Sequence, residues 1–185
     1  MNNKIKYRSL GQYLFENHKK ETELFKERIF YKIENKTSIS INEIYIIELG
    51  NEEDLLELTK MVCEYFEDEY KGKNNKVFGE MLLSVQSQIR NDKIWVLKKD
   101  SKLKCFCSLI DTVVGIPIVG SFFTYRNERG NGYGTQLLSK VTNELVDEFG
   151  EVWLMSDKHS PESNAIFNKI GYKPIYETKN LIINE

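Results

Sequence analysis

The chain has 185 residues, which is enough for one sizeable hydrophobic core but short for two. Apolar residues make up 41% and charged residues 29%, as is ordinary for soluble globular proteins. The formal net charge of -2 argues against nucleic acid as the main partner, because phosphate binding needs a surplus of Lys and Arg on one face. No apolar run approaches the roughly 20 residues that span a bilayer, and residues 1–6 lack a signal-peptide stretch. We therefore expect no membrane association and a cytoplasmic location.

The three cysteines, Cys63, Cys105 and Cys107, form no metal-binding pattern. Cys105 and Cys107 lie two residues apart in an apolar stretch, so both thiols should point to one face of a strand. A metal site would need further ligands at suitable spacing, and the sequence offers none. We expect packing thiols in a reducing compartment, and no metal.

Residues 1–40 differ from the rest of the chain, because they are rich in Lys and Glu with apolar residues at roughly helical spacing. This spacing predicts one or two amphipathic helices. The residues concerned are Tyr13, Leu14, Leu24, Phe25, Ile29 and Ile33. We interpret the segment as a helical extension packed on a main domain of residues 41–185; part of a dimer contact is the alternative.

From residue 43 onward, strand and helix patterns follow one another in the order β-α-α-β-β-β-α-β-α-β. Predicted strands cover residues 43–49, 93–98, 103–110, 118–125 and 151–156, and residues 172–183 supply one or two final strands. Predicted helices begin near residues 55, 76, 132 and 161. Residues 71–75 read as a loop. The pattern predicts a mixed α/β domain.

A glycine-rich segment, Arg129-Gly130-Asn131-Gly132-Tyr133-Gly134, separates a predicted strand from a predicted helix. Glycines let backbone N–H groups turn inward, and the helix start adds unpaired donors and partial positive charge. Arg129 adds a fixed cation and Thr135 a hydroxyl. The segment therefore predicts a cradle for phosphate groups.

Glycine spacing decides between the known phosphate motifs. The dinucleotide fingerprint G-x-G-x-x-G fails in both frames, since its third glycine would fall at Thr135 or at Leu137. The P-loop motif fails because Gly134 is followed by Thr135 rather than Lys. The spacing R-x-x-G-x-G does match a pyrophosphate motif of another family.

That spacing resembles the Q/R-x-x-G-x-G/A motif of the GNAT superfamily of N-acetyltransferases. A second segment, residues 160–172, reads S-P-E-S-N-A-I-F-N-K-I-G-Y and resembles N-P-x-S-N-x-I-Y-x-x-I-G-Y of a bacterial branch of that family. In element order the resemblance covers residues 43–183. It implies a mixed, mostly antiparallel central sheet that splays apart at the cofactor site and is flanked by helices.

The resemblance also implies an acetyl-coenzyme A site. The pantothenate arm would pair with the strand backbone at Phe122 and Thr124, and the pyrophosphate would lie on N–H groups of the glycine-rich segment. The thioester would lie between strands 118–125 and 151–156, within reach of an amine. The implied cofactor-binding residues are Phe122, Thr124, Arg129, Gly130, Asn131, Gly132, Tyr133, Gly134, Thr135, Asn164 and Phe167.

The match departs from the family at Phe167, where a Tyr often protonates the departing thiolate. Coenzyme A thiolate is a tolerable leaving group, and general acid catalysis is typically worth about 10²–10⁴-fold, so loss of the Tyr need not abolish transfer. Tyr133 and Ser163 are candidate substitutes. Phe167 thus leaves two interpretations open. The chain is either an enzyme that is slower or uses a different proton donor, or a cofactor-binding protein without catalytic activity.

No general base is evident. His159 and Asp111 each follow a predicted strand, but a solvated His and a turn-forming Asp are alternative interpretations. Glu128 and Asp157 are further acids, with solvent exposure and turn stabilisation as their alternatives. An acidic stretch at residues 64–70 would attract a cationic amine, unless it is simply a solvated helix face.

Three functions follow as hypotheses. The first is an acyltransferase that moves an acetyl group from acetyl-coenzyme A to a primary amine of a small molecule or peptide. The second is a catalytically silent acetyl-coenzyme A-binding module with a regulatory role. The third is an interaction protein in which residues 1–40 are the working part. Dimers are common in the family, so the resemblance allows a homodimer.

Overall fold

A computed structural model describes residues 15–19, 21–70 and 76–183. The strands of this part are β1 (Thr22–Ile33), β2 (Ile46–Leu49), β3 (Ile94–Lys99), β4 (Lys102–Ile110), β5 (Ile118–Thr124), β6 (Val152–Asp157) and β7 (Lys173–Ile183). The main helices are α1 (Leu55–Tyr70), α2 (Phe78–Arg90), α3 (Tyr133–Phe149) and α4 (Pro161–Ile170). From β2 onward the order β-α-α-β-β-β-α-β-α-β is the predicted one. The predicted loop at 71–75 lies outside the described residues.

The strands form one sheet in the order β2-β3-β4-β5-β6-β1-β7. Neighbours are antiparallel, apart from the parallel pair β5 and β6. Helices α1 and α2 cover one face, and α3 and α4 cover the other, each with its own apolar cluster. The predicted α/β fold with a mostly antiparallel sheet flanked by helices is confirmed.

Strand β4 shows how the sheet divides its side chains between the two clusters. Cys105 and Cys107 enter the cluster under α3 and α4, and Phe106 between them enters the cluster under α1 and α2. Both thiols are free and buried, and burial raises the pKa of each. They lie on one face of the strand, as their spacing predicts.

The prediction of a helical extension is wrong for residues 22–33, which form β1. This strand lies inside the sheet and pairs antiparallel with both β6 and β7. Ile29, Tyr31 and Ile33 contribute to the cluster under α3 and α4, whereas Phe30 on the opposite face stacks on Tyr176. Apolar residues on both faces break the strict alternation and can imitate helical spacing. Residues 15–18 form one helical turn. Residues 1–14, with Tyr13 and Leu14, lie outside the described residues.

The final helix begins at Pro161, in the predicted position. Ser160 occupies the N-cap position, but its side chain makes no capping hydrogen bond and donates instead to the hydroxyl of Ser163. Gly171, at φ +114°, ends the helix. In the part of the chain that the structure covers, no helix is long and apolar enough to cross a membrane.

Candidate active site

Strands β5 and β6 diverge partway along their length. They pair at Ile118 with Trp153 and at Val119 with Leu154. No further pairs join these two strands, both of which the structure describes in full, although each continues for several residues. A cleft opens where the pairing stops, and its lining residue Phe122 packs against Gly134 of the glycine-rich segment.

The β5 edge beside the cleft carries backbone groups that pair with no neighbouring strand. The Tyr125 amide donates to the Lys104 carbonyl at 3.2 Å, so the backbone groups of Tyr125 face β4. Successive residues of a strand direct their backbone groups to opposite edges, so those of Thr124 and Phe122 face the cleft. These are the two positions at which the resemblance places the pantothenate arm.

The glycine-rich segment leaves open space beside its backbone. Gly130 and Gly132 have φ of +83° and +80°, and a Cβ at either position would meet nothing within 4 Å. The amide of Gln136 donates to the carbonyl of Gly132, so the amides from Tyr133 to Thr135 have no intrahelical partner. Open space next to unpaired donors fits a pyrophosphate group.

Gly134 serves helix packing instead. A Cβ at this position would lie 2.8 Å from Cζ of Phe122 and 3.4 Å from Oγ1 of Thr124. The first distance is too short for any real side chain, so this glycine lets α3 approach β5 closely. It thereby sets the separation between α3 and β5 beside the glycine-rich segment.

Arg129 contacts α1 and β5. Its Nη2 donates to Asp68 at 2.8 Å, its Nε donates to the Thr124 carbonyl at 3.2 Å, and its guanidinium lies over the ring of Phe123. Arg126 pairs with the same carboxylate, and the two arginines hold the pKa of Asp68 below its usual value. Arg129 therefore fastens the glycine-rich segment to α1.

Arg129→Ala should weaken acetyl-coenzyme A binding by about 10-fold or less, because the backbone supplies most of the phosphate donors and the side chain acts through Asp68. Calorimetric titration measures the change. Arg126→Ala is the matched control, since it removes the other arginine from Asp68. A loss from Arg129→Ala above about 100-fold would show that the guanidinium itself holds the phosphates.

The cleft extends through the sheet from α4 to α1. Its lining is contributed by β1, α1, β5, β6 and the start of α4. The lining residues are Arg28, Tyr65, Glu69, Val119, Gly120, Phe122, Leu154, Met155, Ser156, Asp157, Ser160, Ser163 and Phe167. The cleft thus joins the side of the sheet covered by α3 and α4 to the side covered by α1.

Phe167 forms a fixed apolar wall of the cleft. It is 5% exposed, and its ring centroid lies 6.0 Å from that of Phe122, 5.8 Å from that of Tyr31 and 6.4 Å from that of Tyr172. Three aromatic contacts hold the ring in one place. The position offers no proton to a leaving group.

Asn164 ties the start of α4 to the end of β6. Its Nδ2 donates to the carbonyls of Asp157 and Lys158, at 3.2 Å and 3.3 Å, and its Oδ1 accepts from the hydroxyl of Tyr31 at 3.3 Å. These contacts give the residue a structural role in addition to the cofactor contact that the resemblance implies.

The structure places three candidate acid–base residues away from the cleft lining. Tyr133 is buried in the core with its ring edge-on to Tyr45. The His159 side chain is 71% exposed and contacts Glu27. Asp111 pairs with Lys93 near the end where β5 and β6 are still joined.

Two other candidates do lie in the cleft, namely Ser163 and Asp157. Asp157 accepts from the His159 amide at 2.8 Å, which is the predicted turn stabilisation, and its other oxygen is 3.4 Å from Nζ of Lys26. Burial acts to raise the pKa of Asp157, but the amide and the nearby cations outweigh it and lower that pKa. Glu128, the remaining acid, pairs with Lys104 outside the cleft.

Sequence reasoning missed the charged floor of the cleft. Arg28 and Lys26, on β1, both pair with Glu69 of α1. Tyr65 lies beside them, and burial raises its pKa to about 12. The signal that could have found them is the two-residue spacing of Lys26 and Arg28, which places both side chains on one face if residues 22–33 are assigned as a strand.

The described residues contain no group of three or more His, Cys, Asp or Glu side chains that could hold a metal ion.

The fold resembles that of known acetyltransferases. An N-acetyltransferase from Sphaerobacter thermophilus superposes with a TM-score of 0.68 at 18% identity, covering 91% of this chain and 54% of that one. A GNAT-family acetyltransferase from Colwellia psychrerythraea gives 0.68 at 7% identity, covering 88% and 56%. A predicted acetyltransferase from Clostridium acetobutylicum, solved with acetyl-coenzyme A, gives 0.54 at 18% identity, covering 70% and 90%.

These similarities define the class of fold. The chain has the fold of GNAT-family acetyltransferases and spans just over half the length of the first two structures. No family model and no curated protein matches its sequence.

Proposed function

We propose that the chain is an N-acetyltransferase that transfers an acetyl group from acetyl-coenzyme A to a primary amine of a small molecule or peptide. The observation that carries this proposal is the cleft between β5 and β6, because its lining residue Phe122 packs against Gly134 of the glycine-rich segment. A strand edge that pairs with no neighbouring strand and leads to a cluster of backbone donors suits an extended ligand with a pyrophosphate at one end. The similar structure that contains acetyl-coenzyme A supports the same ligand.

Different parts of the backbone would hold different parts of acetyl-coenzyme A. The backbone of Phe122 and Thr124 would hold the pantothenate arm, and amides from Gly130 to Thr135 would hold the pyrophosphate. Acetyl-coenzyme A supplies an activated acyl group as a thioester. The ammonium form of the acceptor first loses one proton to solvent, and the neutral nitrogen then forms a bond to the acetyl carbon. The carbon–sulfur bond breaks with its electron pair on the sulfur, which leaves as a thiolate, and the nitrogen loses a second proton to solvent.

Ser163 is positioned to stabilise the departing sulfur. It lies one turn before Phe167 on α4, and residues at this spacing share a helix face. Its hydroxyl accepts a hydrogen bond from Ser160 at 3.1 Å, which leaves its own proton free to point into the cleft. A donor at this place favours the thiolate in the transition state.

Ser163→Ala should lower kcat about 10- to 100-fold, because one hydrogen bond to a developing charge is lost. Affinity for acetyl-coenzyme A should stay within about 2-fold, since the backbone holds the cofactor. Steady-state kinetics and calorimetry measure the two quantities, with Ser84→Ala on the distant helix α2 as the control. An unchanged kcat would show that Ser163 takes no part in catalysis.

A catalytically silent acetyl-coenzyme A-binding module is the second candidate. It is favoured by the absence of a hydroxyl at Phe167 and by the position of Tyr133, His159 and Asp111 away from the cleft lining. Calorimetric titration with acetyl-coenzyme A, followed by thiol release with a panel of amines, separates the two functions. Micromolar binding with amine-dependent release supports the enzyme, and binding without release supports the silent module. Absence of binding would contradict both.

A further inference from the structure

Strand β1 brings two cations to the floor of the cleft. Lys26 and Arg28 lie two residues apart and therefore on the same face of β1, and Arg28 lies directly opposite Asp157 of β6. Arg28 is only 7% exposed. Its side chain lines the cleft together with Tyr65 and Glu69 of α1.

The charges of this floor balance one another. Nη2 of Arg28 lies 2.5 Å from Oε1 of Glu69, and Nζ of Lys26 lies 2.9 Å from the same oxygen and 3.4 Å from Oδ2 of Asp157. Two cations thus face two carboxylates, and the cleft floor has no net charge. A ligand of zero net charge that carries both signs enters such a site without leaving an unpaired charge.

One donor of the cluster lacks a partner. Nε of Arg28 is buried and makes no hydrogen bond to any described residue. A buried guanidinium N–H normally has an acceptor, because an unsatisfied one costs stability. A guanidinium presents Nε and Nη as a fork that fits the two oxygens of a carboxylate.

We propose that Arg28 binds a carboxylate of the acceptor, so that the acceptor is an amine that also carries a carboxylate, such as a free amino acid. This inference rests on the proposed function. With its carboxylate on Arg28, the acceptor directs its amino group along the cleft toward Ser163 and Phe167, on the side of the phosphate cradle. An amine without a carboxylate would compete with Lys26 for Glu69 and Asp157 and would leave Nε of Arg28 unpaired.

The first test uses the unmodified protein and a set of standard amino acids with their carboxamides. Each pair differs only in the group that Arg28 would bind. We expect kcat/KM to be about 10- to 100-fold higher for the amino acids, as for the loss of one charged hydrogen-bonded contact. Equal values for acids and carboxamides, with acetyl-coenzyme A turned over, overturn this inference and leave the proposed function standing.

The second test measures binding rather than turnover. The preferred amino acid of the set is titrated calorimetrically, with and without coenzyme A, into the wild type, Arg28→Lys and Lys32→Gln. Lys32 is the matched control, because it lies on the same face of β1 but pairs with Glu34 and Glu151 outside the cleft. We expect Arg28→Lys to raise the Kd about 10-fold or more and Lys32→Gln to leave it unchanged.

These titrations separate the two proposals. If no amino acid binds the wild type, or if Arg28→Lys and Lys32→Gln bind the amino acid equally well, the carboxylate site is wrong. If the amino acid binds through Arg28 while acetyl-coenzyme A does not bind, the carboxylate site stands and the proposed function fails. Affinity for acetyl-coenzyme A, measured on all three proteins, should not change with either substitution.

Discussion

Gly132→Val should reduce the affinity for acetyl-coenzyme A by at least about 100-fold, because the new side chain would occupy the open space that fits the pyrophosphate and cover several backbone donors. The φ of +80° at this position also disfavours a β-branched residue. Calorimetric titration gives the affinity, and thermal unfolding reports the cost to the fold.

Gly115→Val is the matched control for this substitution. Gly115 has a φ of +76° and nothing within 4 Å of a Cβ, like Gly132, but it lies in the turn between β4 and β5. Both variants should lose similar stability, and only Gly132→Val should lose binding. Full affinity in Gly132→Val would mean that the glycine-rich segment does not hold the phosphates.

Ile29→Pro should destabilise the fold by about 3 kcal/mol or more, a large part of the 5–15 kcal/mol that holds a typical domain together. Ile29 lies opposite Ser156 of β6 and opposite Glu177 of β7. Because β1 has a neighbour on each side, proline at this position removes a ladder hydrogen bond whichever way the amide points. Urea unfolding measures the free energy of unfolding.

Asn35→Pro is the control, since Asn35 is exposed and follows the end of β1. It should change the free energy of unfolding by less than about 1 kcal/mol. If Ile29→Pro were equally mild, β1 would not be an integral strand of the sheet.

The place of β1 between β6 and β7 also bears on the hypothesis that residues 1–40 are the working part of an interaction protein. Removing residues 1–40 would delete β1 and disturb the sheet as well as any binding segment.

Local signals predicted most of the architecture. Each helix and strand after residue 45 has a short-range cause, such as β-branched runs for the strands or the Pro161 and Gly171 boundaries of α4. The glycine-rich segment was predicted for the same reason, because glycine adopts the positive φ values seen at Gly130 and Gly132 without a steric penalty. These local signals did not predict which strands pair with one another.

Arg129 shows what a local pattern leaves out. Its charge next to the glycines predicted a phosphate contact, and in the structure its guanidinium is held by Asp68 and the Thr124 carbonyl. Asp68 comes from α1, which is distant in sequence. A side chain's partner is chosen in three dimensions among all groups within reach, and the local pattern does not report those groups.

The sequence by itself determined the order of elements from β2 onward, the glycine-rich turn before α3 and the absence of a hydroxyl at Phe167, because each depends on residue type and short-range spacing. Only the tertiary structure decided that residues 22–33 form a strand between β6 and β7, and that Arg28 meets Glu69, 41 positions away, beneath the cleft. Backbone hydrogen bonds to two neighbouring strands outweigh the weak local preference of this segment for a helix. The charged floor of the cleft exists only because that pairing brings β1 beside the end of β6 and under α1.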